Sequence, residues 1–317
     1  MTRPVLVTGA GGCIGAWTVR MLLRQNAAVT AFDLSSDRRR LELLCDDPAE
    51  VSGAVWETGD IADGARVAEV FAKHKPAAVI HLAALQVPYC IANPELGARA
   101  NVCGTVNIFQ SAKECGAAVA YASSVAATAM ETPAAWKQTL YGAYKICNEQ
   151  TARAYWEEDG VPSIGIRPAV VYGAGRDRGM SAAPTAAMLA AALGREYRVP
   201  FTGAVGFVHA AEAAAAFVGA ARAATEGAKV FALNGCCKTV EEVCEMIQSR
   251  VDGAKISCAG APLPFPSGDG DEDAPLRECV GEYPRPSFAE GLAETMDFFA
   301  RRVREGRMGA ADLDAVK

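Results

Sequence analysis

The run Val5-Leu6-Val7-Thr8-Gly9-Ala10-Gly11-Gly12-Cys13-Ile14-Gly15 carries a short apolar segment into one with helical spacing. A strand that ends in a glycine loop and feeds a helix near Ile14 leaves backbone N–H groups unpaired at the helix N-terminus, where they bind phosphate. The glycines are spaced GxxGxxG rather than GxGxxG. Gly9, Gly12 and Gly15 therefore divide three tasks: a tight turn, close backbone approach to a pyrophosphate, and close packing of helix on strand. Cys13 and Ile14 lie between the last two and join the same loop. Asp33 closes the next apolar run, near the distance expected for a carboxylate that accepts hydrogen bonds from both ribose hydroxyls and repels a 2′-phosphate. NAD is thus expected in preference to NADP. Arg38, Arg39 and Arg40 follow on a helix and read as a solvated face. Asp60 and Ile61, after the third strand, either meet an adenine ring or form a turn leading to a helix capped at Asp63.

From this loop outward, apolar runs of strand length alternate with helical segments, the pattern of βαβ units and a parallel sheet. Strands are expected at 4–8, 28–33, 54–57, 77–82, 118–123 and 163–167, with long helices over 94–115 and 140–159. Beyond residue 172 helices are expected at 182–193, 210–224, 240–251 and 288–304, with short strands at 229–233 and 255–257. The fold class is α/β: a Rossmann-type doubly wound parallel sheet over 1–172, with contributions from about 205–235, and a smaller substrate-binding lobe over 173–317. Residues 259–286, which include PLPFPSGDGDEDAP, read as a loop or flap.

Of the 317 residues, 51% are hydrophobic and the net charge is −6, so no basic field attracts nucleic acid or an anionic membrane. No apolar run approaches the roughly 20 residues of a bilayer span. No charged and apolar leader precedes the first strand, and a cytoplasmic location is expected. The eleven cysteines form no CxxC pair. Cys13, Cys103, Cys115 and Cys147 fall in helices among apolar neighbours and read as small buried hydrophobes, while Cys236 and Cys237 fall in a loop. The three histidines lack ligand spacing, and no metal is expected.

Tyr141 and Lys145, in YGAYK, stand four residues apart and share one helix face. A phenol with a pKa near 10 is a poor base at neutral pH, but a neighbouring ammonium and an oxidised nicotinamide favour its phenolate. Tyr141 then takes a proton from a substrate hydroxyl, or returns it, as hydride moves. The segment follows a strand ending in Tyr121-Ala122-Ser123-Ser124, which places hydroxyl groups at the carboxyl edge of the sheet. Ser124 is the candidate for holding the substrate oxygen and Ser123 for lining the nicotinamide. Tyr144, with Asn148 rather than Lys four residues on, is assigned to packing or the substrate wall.

TGAGGCIG, Asp33, GDI at 59–61, HLAA at 81–84, NVCGTVN at 101–107, Ser123-Ser124, YGAYK, RPAVVYG at 167–173 and FVHA at 207–210 occur in order along most of the chain. Together they resemble the extended short-chain dehydrogenase/reductases, the NAD-dependent epimerase/dehydratase family. The resemblance implies that Leu82, Ala83 and Ala84 line the cofactor near its phosphates and ribose. It also implies that Asn101 helps order the nicotinamide side and that Pro168 to Val170 pass beside the nicotinamide amide. A homodimer through the two long helices is implied as well.

Departures from the family pattern bear on substrate. Nucleotide-sugar members place an Arg before the FVH segment and an Asp pair after it; this chain has Val205-Gly206 and Ala210-Ala211-Glu212. A diphosphate needs cationic, fork-shaped donors, for which Arg176 and Arg178 either substitute or form solvated surface. The short link from Ser124 to Tyr141 suits a smaller ligand. The expected activity is NAD-dependent hydride transfer at a secondary alcohol or ketone carbon of a small polyhydroxylated compound such as a sugar, sugar acid or glycoside. The alternatives are a nucleotide-sugar epimerase with tightly held NAD and a non-catalytic cofactor-binding regulator.

Overall fold

The computed structural model describes residues 3–131, 137–263 and 272–316. Twelve strands occur in chain order: β1 Val5–Thr8, β2 Val29–Asp33, β3 Val55–Thr58, β4 Ala78–His81, β5 Ala118–Ala122, β6 Ser163–Pro168, β7 Val170–Tyr172, β8 Tyr197–Val199, β9 Ala204–His209, β10 Ala228–Leu233, β11 Cys236–Thr239 and β12 Ile256–Cys258. Seven of them form one sheet in the order β10-β6-β5-β4-β1-β2-β3. Every neighbouring pair in it is parallel. This is the doubly wound arrangement, and the strand order reverses between β1 and β4, which opens a crevice at the carboxyl ends of the strands. Thr8 sits opposite both His81 and Phe32, so the three strands end level at that crevice. The central strands read as almost unbroken apolar runs because helices cover both faces.

The helix Cys13–Arg24 packs on Ala210–Arg222, whose alanines at 213, 214 and 216 are fully buried and let the two helix axes approach closely. A second core lies around Ala183–Ala192, Val240–Arg250 and Phe288–Arg304, with the small sheets β11-β9-β7 and β12-β8. No helix among the described residues is long and apolar enough to cross a membrane.

Several expectations are corrected. The helix expected over 94–115 is three joined pieces, Pro94–Ala98, a π-helical stretch Arg99–Cys103, and Gly104–Cys115. Cys236 and Cys237 lie in β11, paired antiparallel with β9, rather than in a loop. Within the expected flap, residues 264–271 fall outside the described residues, while Ala274–Val280 is helical. Buried Asp273, at the start of that helix, accepts hydrogen bonds from the Asn234 and Gly235 N–H groups at 2.6 and 3.0 Å. A buried carboxylate satisfied by a neighbouring turn overrides the local polarity that suggested a loop. Cys103 and Cys147 are exposed, because they stand on the outward faces of their helices, while Cys13 and Cys115 are only half-buried.

Candidate active site

A cleft of about 610 Å³ runs along the carboxyl edge of the sheet, from Asp33 past the glycine loop to Tyr141. Gly9 takes φ +67°, and a Cβ there would stand 2.7 Å from the Ala83 nitrogen. A Cβ on Gly15 would collide with the Gly9 carbonyl. Gly12 is the N-cap of Cys13–Arg24, and no side chain caps this helix, so its first-turn N–H groups face the cleft without a protein partner of that kind. Cys13 and Ile14 complete this wall.

Asp33 accepts from the N–H of Gly11 at 2.8 Å and of Leu34 at 2.7 Å, which aims its carboxylate into the cleft. The arginines after it are a solvated face only in part: Arg39 is exposed, while Arg38 and Arg40 are half-buried. Arg38 stacks on Trp56, with its guanidinium carbon 4.9 Å from the ring centroid, and Arg39 pairs with Asp312. Arg40 donates to the Gly11 carbonyl at 2.7 Å and to Asp177 at 2.7 Å. Arg39 and Arg40 are held by carboxylates, while Arg38 lies over the Trp56 ring. Asp60 lines the cleft with Ile61 while also accepting from the Ala62 N–H at 2.9 Å, and Asp63 caps the next helix by accepting from Arg66 at 3.1 Å.

Leu82, Ala83 and Ala84 line the middle of the cleft; Pro168 and Val170 line its far end. The Leu82–Ala83 turn is held by Thr8, whose hydroxyl accepts from the Ala83 N–H at 3.3 Å and pairs with His81 Nδ1 at 2.7 Å. His81 Nε2 lies 3.2 Å from the Thr105 hydroxyl. Burial, and then the Lys145 charge, push the His81 pKa down to about 3, so it stays neutral and serves as a fixed hydrogen-bonding strut.

At the β5 end, the Ser124 hydroxyl lies within hydrogen-bonding reach of the Tyr141 phenol and accepts from the Ala126 N–H at 3.1 Å. Lys145 donates to the Ala122 carbonyl at 2.6 Å, and its ammonium stands 5.4 Å from the centre of the Tyr141 ring. Burial pushes Tyr141 up to about 12, against the pull of Ser124 and the Arg176 charge, and pushes Lys145 down to about 8. Burial so tight that each charged form is penalised makes both groups sensitive to any added charge. Thr139 caps their helix by accepting from the Gly142 N–H, which fixes where Tyr141 emerges.

One sequence assignment holds for position but not for its hydroxyl, and one needs revision. Ser123 borders the cleft, but its hydroxyl donates to the Glu149 carboxylate, which Arg167 clamps at 2.7 and 2.8 Å. Asn101 is not a cleft residue: buried in the π-helical stretch, its amide donates to the carbonyls of Leu85 at 3.0 Å and Gly97 at 2.9 Å. It reaches the cleft only through the Leu85–Gln86 segment that it holds. Tyr144 belongs to packing, donating to the Pro94 carbonyl at 2.9 Å. Of the two loop arginines, Arg178 is exposed while Arg176 turns inward. Gln86 and Arg40 were not legible as cleft residues. Arg40 sat in a charge run, and Gln86 has no motif around it.

Residues 5–234 match the NAD dependent epimerase/dehydratase family. The chain belongs to that family. Over 319 aligned residues it is 28% identical to a UDP-glucose 4-epimerase of Mycolicibacterium smegmatis, covering 94% of this chain and 98% of that one. Over 187 residues it is 31% identical to UDP-glucuronate 4-epimerase 3 of Arabidopsis thaliana, covering 53% of this chain and 42% of that one. Among solved structures, a partial consensus L-threonine 3-dehydrogenase superposes with TM-score 0.80 at 21% identity, over 94% of this chain and 99% of that one. As a member of this family the chain is an NAD-dependent enzyme of the short-chain epimerase/dehydrogenase type. The cleft fits that cofactor: an uncapped helix N-terminus suits a pyrophosphate and a carboxylate aimed across it suits an unmodified ribose.

Proposed function

We propose that this family member is an NAD-dependent oxidoreductase acting on a secondary alcohol or ketone carbon of a small polyhydroxylated compound, a sugar, sugar acid or glycoside. The observation that carries this reading is the convergence of Ser124, Tyr141 and Lys145 on one end of the cleft. Ser124 holds the substrate oxygen by a hydrogen bond. Tyr141 takes the hydroxyl proton in oxidation and returns it in reduction. Lys145, anchored on the Ala122 carbonyl, keeps a positive charge beside the ring and favours the phenolate. NAD, when bound, supplies the hydride acceptor or donor and, when oxidised, a positive ring. Gly9, Gly12, Gly15 and the first turn at Cys13 and Ile14 would hold its pyrophosphate. Asp33 would hold the adenosine ribose, Asp60 and Ile61 the adenine side, and Leu82 to Ala84, Ser123, Pro168 and Val170 the nicotinamide half.

The cleft's cation inventory favours a small substrate over a nucleotide sugar. The place before Phe207 that would carry an arginine for a diphosphate holds Gly206 and Val205 in β9, and Arg40 is committed to Asp177, which leaves Arg176 as a single inward cation against the two charges of a diphosphate. The second reading, a nucleotide-sugar epimerase, draws on the nearly full-length similarity to the Mycolicibacterium smegmatis protein. Release of NADH separates the two. Under the first reading, incubation with NAD and a sugar or sugar acid builds up free NADH at 340 nm. Interconversion of UDP-hexoses with no free NADH would replace that reading with the second. Tyr141→Phe is expected to lower turnover by about 10²–10⁴-fold with NADH binding intact; unchanged turnover removes Tyr141 from its role.

In this reading residues 1–172, with 205–235, carry the cofactor and the remainder shapes the substrate side. The protein acts as a homodimer packed through Gly104–Cys115 and Leu140–Asp159. Exposed Val106, Leu140 and Cys147 on these helices, with Cys103 just before the first, support that assembly.

A further inference from the structure

Among the described residues, several buried side-chain polar atoms lack a hydrogen-bond partner, and only two of these belong to residues lining the cleft: Nε of Arg176 and Oε1 of Gln86. They converge on Gly179, which takes φ +97°. A Cβ at Gly179 would collide with Gln86 Oε1 and stand 3.2 Å from Arg176 Nη2, so the glycine keeps the space between the two side chains open. The Arg176 guanidinium makes one hydrogen bond, from Nη2 to Ser181 at 3.2 Å.

The other charges of the cleft are spoken for. Arg40 is bound to Asp177 and the Gly11 carbonyl, and Lys145 to the Ala122 carbonyl. Asp33 accepts from two backbone N–H groups, Asp60 from Ala62, and Asp37 from Arg39. Arg178 is exposed. Among the described residues, Arg176 is therefore the one inward-turned cation lining the cleft with neither a carboxylate nor a carbonyl on it. Taking a guanidinium out of water without a counter-ion costs several kcal/mol, and a fork of N–H donors is matched best by a planar carboxylate. The charge acts on both Cys13 of the glycine loop and the Tyr141 phenol, so Arg176 sits in the part of the cleft between the two.

We propose that Arg176 and Gln86 form a subsite for a hydroxylated carboxylic acid, with Arg176 holding the carboxylate and Gln86 accepting from an adjacent hydroxyl. This deepens the oxidoreductase reading by selecting sugar acids over neutral sugars, and it rests on that reading. One guanidinium suits a single negative charge, whereas a phosphate monoester dianion would call for a second cation. The cofactor pyrophosphate, the competing anion, already has the uncapped first turn of Cys13–Arg24.

The test is a calorimetric titration of the NADH-loaded protein, which needs no turnover and so is read independently of whether NADH is ever formed. D-galacturonate, D-glucuronate and D-gluconate are compared with D-galactose, D-glucose and D-glucitol, and with D-galactose 1-phosphate. At least one acid is expected to bind about tenfold or more tightly than its neutral counterpart. Arg176→Gln should erase that preference with the NADH affinity unchanged, and Arg176→Lys should restore part of it. The proposal is overturned if no acid outbinds its neutral counterpart, if the sugar phosphate binds more tightly than every acid, or if Arg176→Gln weakens NADH as much as it weakens the acid.

Discussion

Glu57, nearly buried in β3, accepts from Lys73 at 2.7 Å, from His74 at 2.7 Å and from Arg66 at 2.6 Å, and these contacts, Lys73 first, hold its carboxyl down to about 2. A folded-state pKa below the unfolded value means that the native state favours the ionised form. The resulting stability is complete above the ordinary Glu value of about 4.3 and drains away as pH falls through about 2. Glu57→Gln is accordingly expected to lower the unfolding free energy by about 1–2 kcal/mol at pH 7, more than an exposed pair contributes. Urea unfolding at pH 7 and pH 3 checks this: the gap between wild type and variant should narrow at the lower pH, and a gap that widens there would contradict it. Tyr141 and Lys145 show the same physics with the opposite result. Tyr141 and Lys145 find no full counter-charge, so burial moves both pKa values toward the neutral species and leaves them responsive to whatever charge the cofactor and substrate bring.

Among the elements, the glycine loop and the helix after it tolerate the least change. A Cβ on Gly15 would run into the Gly9 carbonyl and stand 2.9 Å from the Ala10 Cα, both backbone atoms that move only with the loop. Gly15→Ala is expected to weaken NADH binding by about tenfold or more and to cost at least about 1–3 kcal/mol through overpacking. Fluorescence titration and thermal unfolding measure the two effects, and a variant with both unchanged would show that the helix does not need this close approach. This loop, Asp33 and the Tyr141–Lys145 turn were legible in the sequence because each is local: a strand, a turn and one helical repeat fix them. What escaped is set by distant chain segments. Asn101 reads as a cofactor residue until the π-helical stretch turns its amide onto Leu85 and Gly97. Ser123 lines the cleft as expected, but its hydroxyl goes to Glu149, 26 residues on, which the local pattern does not contain. Arg40 reads as surface until Asp177, 137 residues away, arrives beside it. The helix Ala274–Val280 hides in a polar, proline-rich stretch because its contribution, the Asp273 carboxylate under Asn234 and Gly235, depends on a partner turn the local pattern does not contain.

Across the whole molecule, the sheet and the C-terminal elements are tied together at one end of the cleft. Arg40 bridges the glycine loop and Asp177, while Arg302, almost wholly buried, runs from the last long helix to the Leu43 carbonyl at 2.8 Å and Asp46 at 2.7 Å. The opposite flank is built differently. There the helices Gly104–Cys115 and Leu140–Asp159 leave Val106 38% and Leu140 43% exposed, with Cys103 three residues before Val106 and Cys147 seven after Leu140. Such spacings put each pair on one helix face. The proposed dimer would bury both faces in an isologous contact, each helix pair packing on its copy as a four-helix bundle. Light scattering on the purified chain at about 10 μM is expected to give twice the 33.1 kDa chain mass. Val106→Glu would put a buried charge into that contact, so the variant should elute as a monomer. A monomeric wild type, or a Val106→Glu protein that remains dimeric, would move the interface elsewhere. Because Tyr141 and Lys145 stand on the inner side of the same helix whose outer side carries Leu140 and Cys147, loss of the dimer is expected to reduce turnover by loosening that helix, while NADH affinity, set by the glycine loop on the far side of the sheet crevice, stays as it was.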